Sequence, residues 1–135
     1  REDMRKPSKK TLKRQADKLF AILIKLNREC EWCGRRPPEI QLQCAHTFSR
    51  RYLVTRWELL NGTALCAGCH RRAHDQPIEF AEFQKELLGE GVYDELRRIA
   101  KTSIKKIDLH EKIEELKKMI EMKEKGLLEG LAYKD

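Results

Sequence analysis

Four cysteines arranged as two Cys-x-x-Cys pairs constrain the fold of this chain more than any other feature of its sequence. The pairs are Cys30/Cys33 and Cys66/Cys69, with residues 34–65 between them. Each pair can direct two sulfurs from one tight turn towards the same ion, so the two pairs together predict a tetrahedral Zn²⁺ site. Because four thiolates leave no position open for a substrate water, we expect a structural role for this metal. The alternative, a redox-active dithiol, does not explain two matched pairs.

The fifth cysteine, Cys44, has no partner in this pattern, so the cysteines do not form a disulfide framework. It falls in a segment of alternating residues and is expected to be a small buried residue on a strand. The longest apolar run, residues 19–24, is far shorter than the ~20 residues of a membrane span. We therefore expect a cytoplasmic protein, without a membrane partner, whose thiols are reduced and bound to metal.

Three histidines and an asparagine accompany the second cysteine pair. His70 and His74 follow that pair directly and lie one helical turn apart, so they can share a cation on one helix face. His46 and Asn61 lie between the two cysteine pairs. The alternative places His74 on the surface and makes His70 a hydrogen-bond donor at the start of the helix. The position of both histidines immediately after a cysteine pair favours the functional interpretation.

Periodicity predicts a mostly helical α+β fold in which two strands precede the histidine helix. The alternation in residues 40–46 predicts the first strand, and residues 63–65 are long enough for the return strand. Asn61-Gly62 is a typical turn pair and is expected to lead into that second strand. With the helix after the second cysteine pair, the order is strand, hairpin, strand, helix, with a metal in the crevice.

The remaining segments are predicted to be helices. A basic helix capped by Ser8 runs to about Arg28 and carries one apolar stripe. Three more helices are predicted after the histidines: one that starts at Asp75 and Pro77 and ends at Gly89, one at residues 92–101 and one from Asp108 onwards. The apolar stripe of the last helix is more typical of core packing than of a dimer seam.

Positive charge is concentrated at the amino-terminal end and around the histidines. The chain has 29 Lys and Arg against 22 Asp and Glu, and residues 30–81 contain arginine but no lysine. Arginine makes planar, bidentate contacts with phosphate, so we expect a polyanionic partner such as nucleic acid, with mere solubility as the alternative. The candidate phosphate-binding residues are Arg50, Arg51, Arg56, Arg71, Arg72, Lys9, Lys10, Lys13 and Arg14.

The joint pattern of cysteines, histidines and asparagine resembles the HNH endonucleases, which have a ββα-metal fold. Two Cys-x-x-Cys pairs accompany the order His46, Asn61, His70 and His74. Within that superfamily, the segments "KKTLKRQADKLFAILIKLNREC", "CAHTFSRR", "RWELLN" and "QPIEFAEFQKELLGEGVYDELRR" are similar to phage recombination nucleases of the lambda NinG (Rap) type. The similarity covers about residues 8–116.

The resemblance implies a metal-dependent DNA endonuclease, with His46 as the general base and His70 and His74 as ligands of a catalytic divalent cation. Asn61 would orient the His46 loop or support the metal site. The cation would be Mg²⁺, Mn²⁺ or another transition metal, and the products would carry 5′-phosphate and 3′-hydroxyl ends. The narrower similarity implies action on branched DNA such as Holliday junctions and D-loops. It also implies a phage or prophage protein that acts in the cytoplasm of the host.

One position departs from the family pattern. Many HNH nucleases have Asp or His just before the general base, where this chain has Ala45. Two imidazoles alone are a poor site for Mg²⁺, which prefers oxygen ligands. We therefore expect Mn²⁺ or another transition metal to support cleavage better than Mg²⁺ does.

On this interpretation the chain has a loose basic arm at 1–7, an HNH core with its basic helix at 8–88 and a helical extension at 89–135. A homodimer is plausible for paired cuts in a four-way junction, and the last helix could supply the contact. Two alternatives remain open: a nicking or homing-type HNH enzyme acting on linear duplex DNA, and a zinc-stabilised DNA-binding module without catalysis.

Overall fold

The computed structural model describes residues 6–127 of the chain and has a mostly helical α+β fold. Its elements in chain order are α1 (Lys9–Lys25), β1 (Leu42–His46), α2 (Leu53–Arg56), a 3-10 turn (Leu59–Asn61), β2 (Gly62–Cys66), α3 (Ala67–Asp75), α4 (Pro77–Leu88), α5 (Glu90–Thr102) and α6 (Leu109–Glu124). The fold class predicted from periodicity is confirmed at this level. The predicted arm at 1–7 lies mostly outside the described residues. Among the described helices, none is long and apolar enough to cross a membrane.

Helix α1 begins where its sequence predicts. The Ser8 hydroxyl oxygen accepts the backbone N–H of Thr11 at 3.1 Å, which satisfies one of the free donors at the helix start. The helix ends at Lys25, short of the expected Arg28. Arg28 has φ 65°, a left-handed conformation that cannot continue a right-handed helix.

Helix α6 shares the main hydrophobic core with α1. Phe20 and Leu23 of α1 are buried in one cluster with Ile113 and Leu116 of α6. The apolar stripe of α6 is therefore used in the core, as its sequence predicted. A dimer contact from the last helix stays a prediction, and these core residues would not supply it.

The two strands form an antiparallel pair, in which Leu42 lies opposite Cys66 and His46 lies opposite Gly62. The expected Asn61-Gly62 turn is wrong. Gly62 is extended, with φ −116° and ψ 143°, and is the first residue of β2. The connection between the strands is the whole segment 47–61, which contains α2 and the 3-10 turn. The first strand also starts at Leu42, later than the expected position 40.

Both faces of β1 are covered, which the alternating pattern alone did not indicate. Leu42 and Cys44 pack against the cluster formed by α1 and α6, as predicted for one face. On the opposite face, Ala45 is 3% exposed and packs beside the cysteines. The sheet therefore lies between the main core and the cysteine cluster, and it packs against both.

Gly62 is required by the close approach of β2 to α1, which leads to a stability prediction. A Cβ atom at this position would lie 2.7 Å from side-chain atoms of Phe20 and Ile24, both of which are buried. We expect Gly62→Ala to lower the free energy of unfolding by about 1–3 kcal/mol, the usual cost of overpacking a core. Urea unfolding followed by circular dichroism measures this change.

Gly91→Ala is the matched control, because a Cβ at Gly91 meets no atom within 4 Å. Gly91 lies in helix α5, so alanine there should be neutral or stabilising by up to about 1 kcal/mol. Equal urea midpoints for Gly62→Ala and the unmodified chain would contradict the packing account.

Candidate functional site

The first cysteine pair lies in a tight turn between α1 and β1. The backbone N–H of Cys30 donates to the carbonyl of Arg35 at 2.8 Å, and that of Gly34 donates to the carbonyl of Cys30 at 2.8 Å. Gly34 has φ 80°, a conformation that favours glycine. The turn is joined to β2, because the Glu31 N–H donates to the carbonyl of Ala64 at 2.8 Å.

The second cysteine pair lies at the junction of β2 and α3. Cys66 is the last residue of β2 and caps α3, since its Sγ accepts the backbone N–H of Cys69 at 3.4 Å. The register of β2 therefore determines where both sulfurs of this pair lie. The predicted opening of the histidine helix by this pair is confirmed.

The four sulfurs of Cys30, Cys33, Cys66 and Cys69 lie within 4.8 Å of one another. The Sγ atoms of Cys33 and Cys66 are 3.8 Å apart. A tetrahedral Zn²⁺ with 2.3 Å bonds requires sulfurs roughly 3.8 Å apart. Cys30, Cys66 and Cys69 are buried, whereas Cys33 is exposed. The cluster can hold a metal ion such as zinc, as the sequence predicts.

The cysteines of this cluster influence one another's ionisation. Burial and the neighbouring sulfurs of Cys30 and Cys66 raise the pKa of the Cys69 thiol, because additional negative charge there is unfavourable. Burial also raises the pKa of Cys44, to about 12. Cys44 lies outside the four-sulfur cluster and packs as a half-buried apolar residue, in line with its predicted role.

Three histidines line one small cavity next to this cluster. β1 places His46 at its end, and α3 carries His70 and His74 one turn apart. The cavity has a volume of about 150 Å³, and its lining residues are Ala45, His46, His70, Ala73, His74 and Phe80. The structure thus brings His46, which lies 24 positions before His70 in the chain, together with His70 and His74.

His46 is held as a neutral imidazole with a defined tautomer. Burial lowers its pKa, and its ring lies 5.4 Å from the ring of Phe20. Its Nε2 is 3.1 Å from the backbone carbonyl oxygen of Arg56. A carbonyl accepts only, so Nε2 carries the proton, and Nδ1 has the free lone pair.

His70 has a corresponding arrangement through its other ring nitrogen. Its Nδ1 is 2.7 Å from Oε1 of Gln43 on β1, so Nδ1 donates and Nε2 is free to bind a cation. Burial, followed by the nearby His74, lowers the pKa of His70. The neutral imidazole that a metal ligand requires is therefore favoured, while His74 is exposed.

Asn61 is fully buried and fixes the chain just after His46. Its Oδ1 accepts the backbone N–H of Phe48 at 2.9 Å, and its Nδ2 donates to the carbonyl of Phe48 at 3.1 Å. Its own carbonyl accepts the N–H of Thr47 at 2.9 Å. These are contacts that the predicted orienting role requires. Asn61 does not line the histidine cavity.

The candidate phosphate-binding arginines have different surroundings. Arg56 pairs with Asp17 and only 14% of its side chain is exposed, so its main contacts are structural. Arg72 lies over the Trp32 ring at 4.1 Å and pairs with Glu79 at 2.7 Å.

The other candidate cations are accessible for the most part. Arg50, Arg51 and Arg71 are exposed, and the side chain of Arg71 is 85% exposed. On α1, Lys9, Lys10 and Arg14 are exposed and Lys13 is half-buried. These residues are available for a polyanion, whereas the Arg56 guanidinium is bound to Asp17.

Sequence reasoning missed two residues that support the histidines. Asp17 accepts hydrogen bonds from the side chains of Arg56 and Trp57, whose shared peptide group contains the carbonyl oxygen bound to His46. Gln43 accepts a hydrogen bond from His70. Gln43 could have been found, because it precedes Ala45 by two positions and therefore shares its strand face. For Asp17 the only signal is an acidic residue within a basic helix.

The structure supports the cysteine cluster more directly than the cavity. Within residues 6–127, the four cysteines are the one group of three or more His, Cys, Asp or Glu whose ligand atoms are this close together. The three cavity histidines do not meet that distance limit. No family model, no curated protein and no solved structure matches this chain.

Proposed function

We propose that this chain is a metal-dependent DNA endonuclease of the HNH type. The observation that carries the proposal is the shared cavity of His46, His70 and His74 at a strand–strand–helix unit. A DNA-binding module would need the cysteine cluster and the arginines, but it would not need three histidines in one cavity. The chemistry proposed is hydrolysis of a phosphodiester bond.

In this proposal His46 acts as the general base. Its Nδ1 lone pair accepts a proton from the attacking water, and its neutral form is favoured because burial lowers its pKa. The Arg56 carbonyl keeps Nε2 protonated and holds the ring in place. Asn61 holds the backbone that follows His46 through its hydrogen bonds to Phe48, which restricts movement of the His46 ring relative to the cavity.

His70 and His74 would hold the divalent cation. Gln43 orients the His70 ring and leaves Nε2 as its ligand atom. A cation held there would supply positive charge for the scissile phosphate and for the leaving 3′ oxygen. The described residues that line the cavity contain no carboxylate, and Ala45 contributes only a methyl group. Asp75 lines an adjoining depression together with Gln43 and both ligands.

This donor set fits a transition metal better than Mg²⁺. Imidazole is a suitable ligand for Ni²⁺ and Zn²⁺, and Mn²⁺ accepts it more readily than Mg²⁺, which needs oxygen ligands that the cavity does not provide. We expect cleavage at 1 mM Mn²⁺ to exceed cleavage at 1 mM Mg²⁺. A plasmid-nicking assay over Mg²⁺, Mn²⁺, Ni²⁺ and Zn²⁺ measures this order, and a clear optimum with Mg²⁺ would contradict it.

The accessible cations define the proposed DNA surface. Lys10, Lys13 and Arg14 lie on the face of α1 that also carries Asp17, and Asp17 is 3.5 Å from Arg50. A continuous positive band can therefore run from the start of α1 to the segment after β1. Such a band suits phosphate contacts that position DNA without reading its sequence.

Branched DNA is the proposed substrate class, with products that carry 5′-phosphate and 3′-hydroxyl ends. The test compares cleavage of a four-way junction, a D-loop and the matched linear duplex under the best metal condition. Preference for the junction or the D-loop supports the substrate class, and equal cleavage of all three removes it. Binding without cleavage under every metal would favour the zinc-stabilised binding module instead.

A further inference from the structure

Asp17, a residue of α1 outside the two-stranded sheet, binds both residues that hold the His46 partner carbonyl. Its carboxylate accepts hydrogen bonds from Arg56 Nε at 3.0 Å and from Arg56 Nη2 at 2.6 Å. It also accepts the indole N–H of Trp57 at 2.8 Å. Three donors from two consecutive residues therefore converge on one carboxylate.

These two residues are joined by the peptide group that contains the relevant carbonyl. The oxygen that is hydrogen-bonded to His46 Nε2 is the backbone carbonyl oxygen of Arg56. The carbon of that carbonyl is joined directly to the backbone nitrogen of Trp57. Trp57 is 2% exposed, and the Arg56 guanidinium lies 5.1 Å from its ring centroid. Because the side chains on both sides of this peptide are bound to Asp17, those bonds restrict the rotation of the carbonyl.

The charges are consistent with a permanent contact. Burial opposes ionisation of Asp17, but hydrogen bonds from Arg56 and Trp57 hold the pKa of its carboxyl below the usual value. Arg56 is half-buried, and loss of its partner would leave a poorly solvated cation there. Arg50 adds a second cation 3.5 Å from the same carboxylate.

We propose that Asp17 is a positioning residue for His46. Through the Arg56–Trp57 peptide it fixes the carbonyl that keeps the proton on His46 Nε2 and leaves the lone pair on Nδ1. It does so from a helix that is separate in sequence from the histidine unit. This inference rests on the proposed function for its catalytic consequence, but its structural content is independent of catalysis.

The test uses Asp17→Asn in the full chain. Asparagine has nearly the same shape, but its amide group presents donors where Arg56 needs an acceptor. We expect the Asp17→Asn protein to bind linear DNA at least as tightly as the unmodified chain, because a carboxylate beside Arg50 is lost. Its kcat should nevertheless fall by about tenfold to a hundredfold. At pH 8, long-range ¹H–¹⁵N spectra should show His46 as the Nε2–H tautomer in the unmodified chain and as a mixture in the variant.

Two further variants keep the proposal open to refutation. Glu114→Gln removes an exposed carboxylate on α6 and should change neither kcat nor the His46 tautomer. Trp57→Phe removes one of the three hydrogen bonds, so it tests the same link if Asp17→Asn does not fold. It should give a smaller shift of the tautomer in the same direction.

The outcomes separate this inference from the proposed function. An unchanged Nε2–H tautomer in the folded Asp17→Asn protein, or in Trp57→Phe if the first variant does not fold, overturns the positioning role. A mixture of tautomers in the variant supports the role. Absence of cleavage by the unmodified chain under every metal counts against the nuclease, while the spectra still decide the role of Asp17.

Discussion

Replacing His46 with alanine should lower the rate of DNA cleavage by about 10²- to 10⁴-fold, the usual contribution of a positioned general base. His46 is the one cavity histidine on β1, and its protonated Nε2 is already bound to the Arg56 carbonyl. The remaining nitrogen, Nδ1, is therefore the proton acceptor that the alanine variant lacks. DNA affinity should stay nearly unchanged, because the exposed cations remain in place. Single-turnover cleavage and fluorescence anisotropy with the same duplex measure the two quantities.

His110→Ala is the matched control, since His110 is an exposed histidine on α6, outside the cavity. It should cleave DNA at the rate of the unmodified chain. Thermal unfolding of both variants shows whether loss of the contact between His46 and Phe20 changes stability enough to affect the assay. A folded His46→Ala protein that cleaves DNA at the original rate would remove His46 from the mechanism.

The cysteine cluster and the histidine cavity could be located from the sequence because their signals are local. The Cys-x-x-Cys spacing allows one tight turn to direct two sulfurs towards the same ion. The spacing of His70 and His74 places two imidazoles on the same face of one helix. The alternation around Cys44 placed His46 on a strand for the same reason. Each of these patterns needs only the geometry of its own segment.

The features that were wrong or missed depend on contacts between distant segments. Asn61-Gly62 has the composition of a tight turn, yet the side chains of Phe20 and Ile24 leave no space for a Cβ at Gly62. Tertiary packing therefore overrides local turn preference at this position. Asp17 could not be assigned for a related reason, because its partners are 39 and 40 positions away.

The two sites also depend on each other through α3. Cys69 and His70 are adjacent on this helix, and its start is fixed by Cys66. On the opposite side, Ala45 is packed among the cysteines while it also lines the cavity. Displacement of the cysteine cluster would therefore move the histidines of α3 relative to His46.

Removal of the metal from the four cysteines should accordingly unfold the region around β2 and α3 and abolish cleavage. The cluster joins the turn at Cys30 to the β2–α3 junction, whose buried apolar partners are few. Structural zinc sites contribute about 10–16 kcal/mol of binding free energy in small domains, which is comparable to the ~5–15 kcal/mol that stabilises a whole domain. The α1–α6 core does not include the four cysteines of the cluster, so part of the helical signal in circular dichroism should remain.

Cys66→Ser compared with Cys44→Ser gives the sharpest form of this experiment. Both changes replace a sulfur with an oxygen, but only Cys66 belongs to the four-sulfur cluster. We expect the Cys44 variant to bind one equivalent of zinc and lose about 1–2 kcal/mol, the cost of a hydroxyl in an apolar site. The Cys66 variant should bind zinc weakly and lose the cooperative transition of β2 and α3. Because Cys66 also caps α3, the Cys66 variant changes more than metal binding. Removing the metal from the unmodified chain with a high-affinity chelator, and then adding zinc back, measures the contribution of the metal alone.

Equal zinc content and equal thermal midpoints for the Cys66 and Cys44 variants would contradict the prediction. They would show that the four cysteines do not hold a metal on which the fold depends.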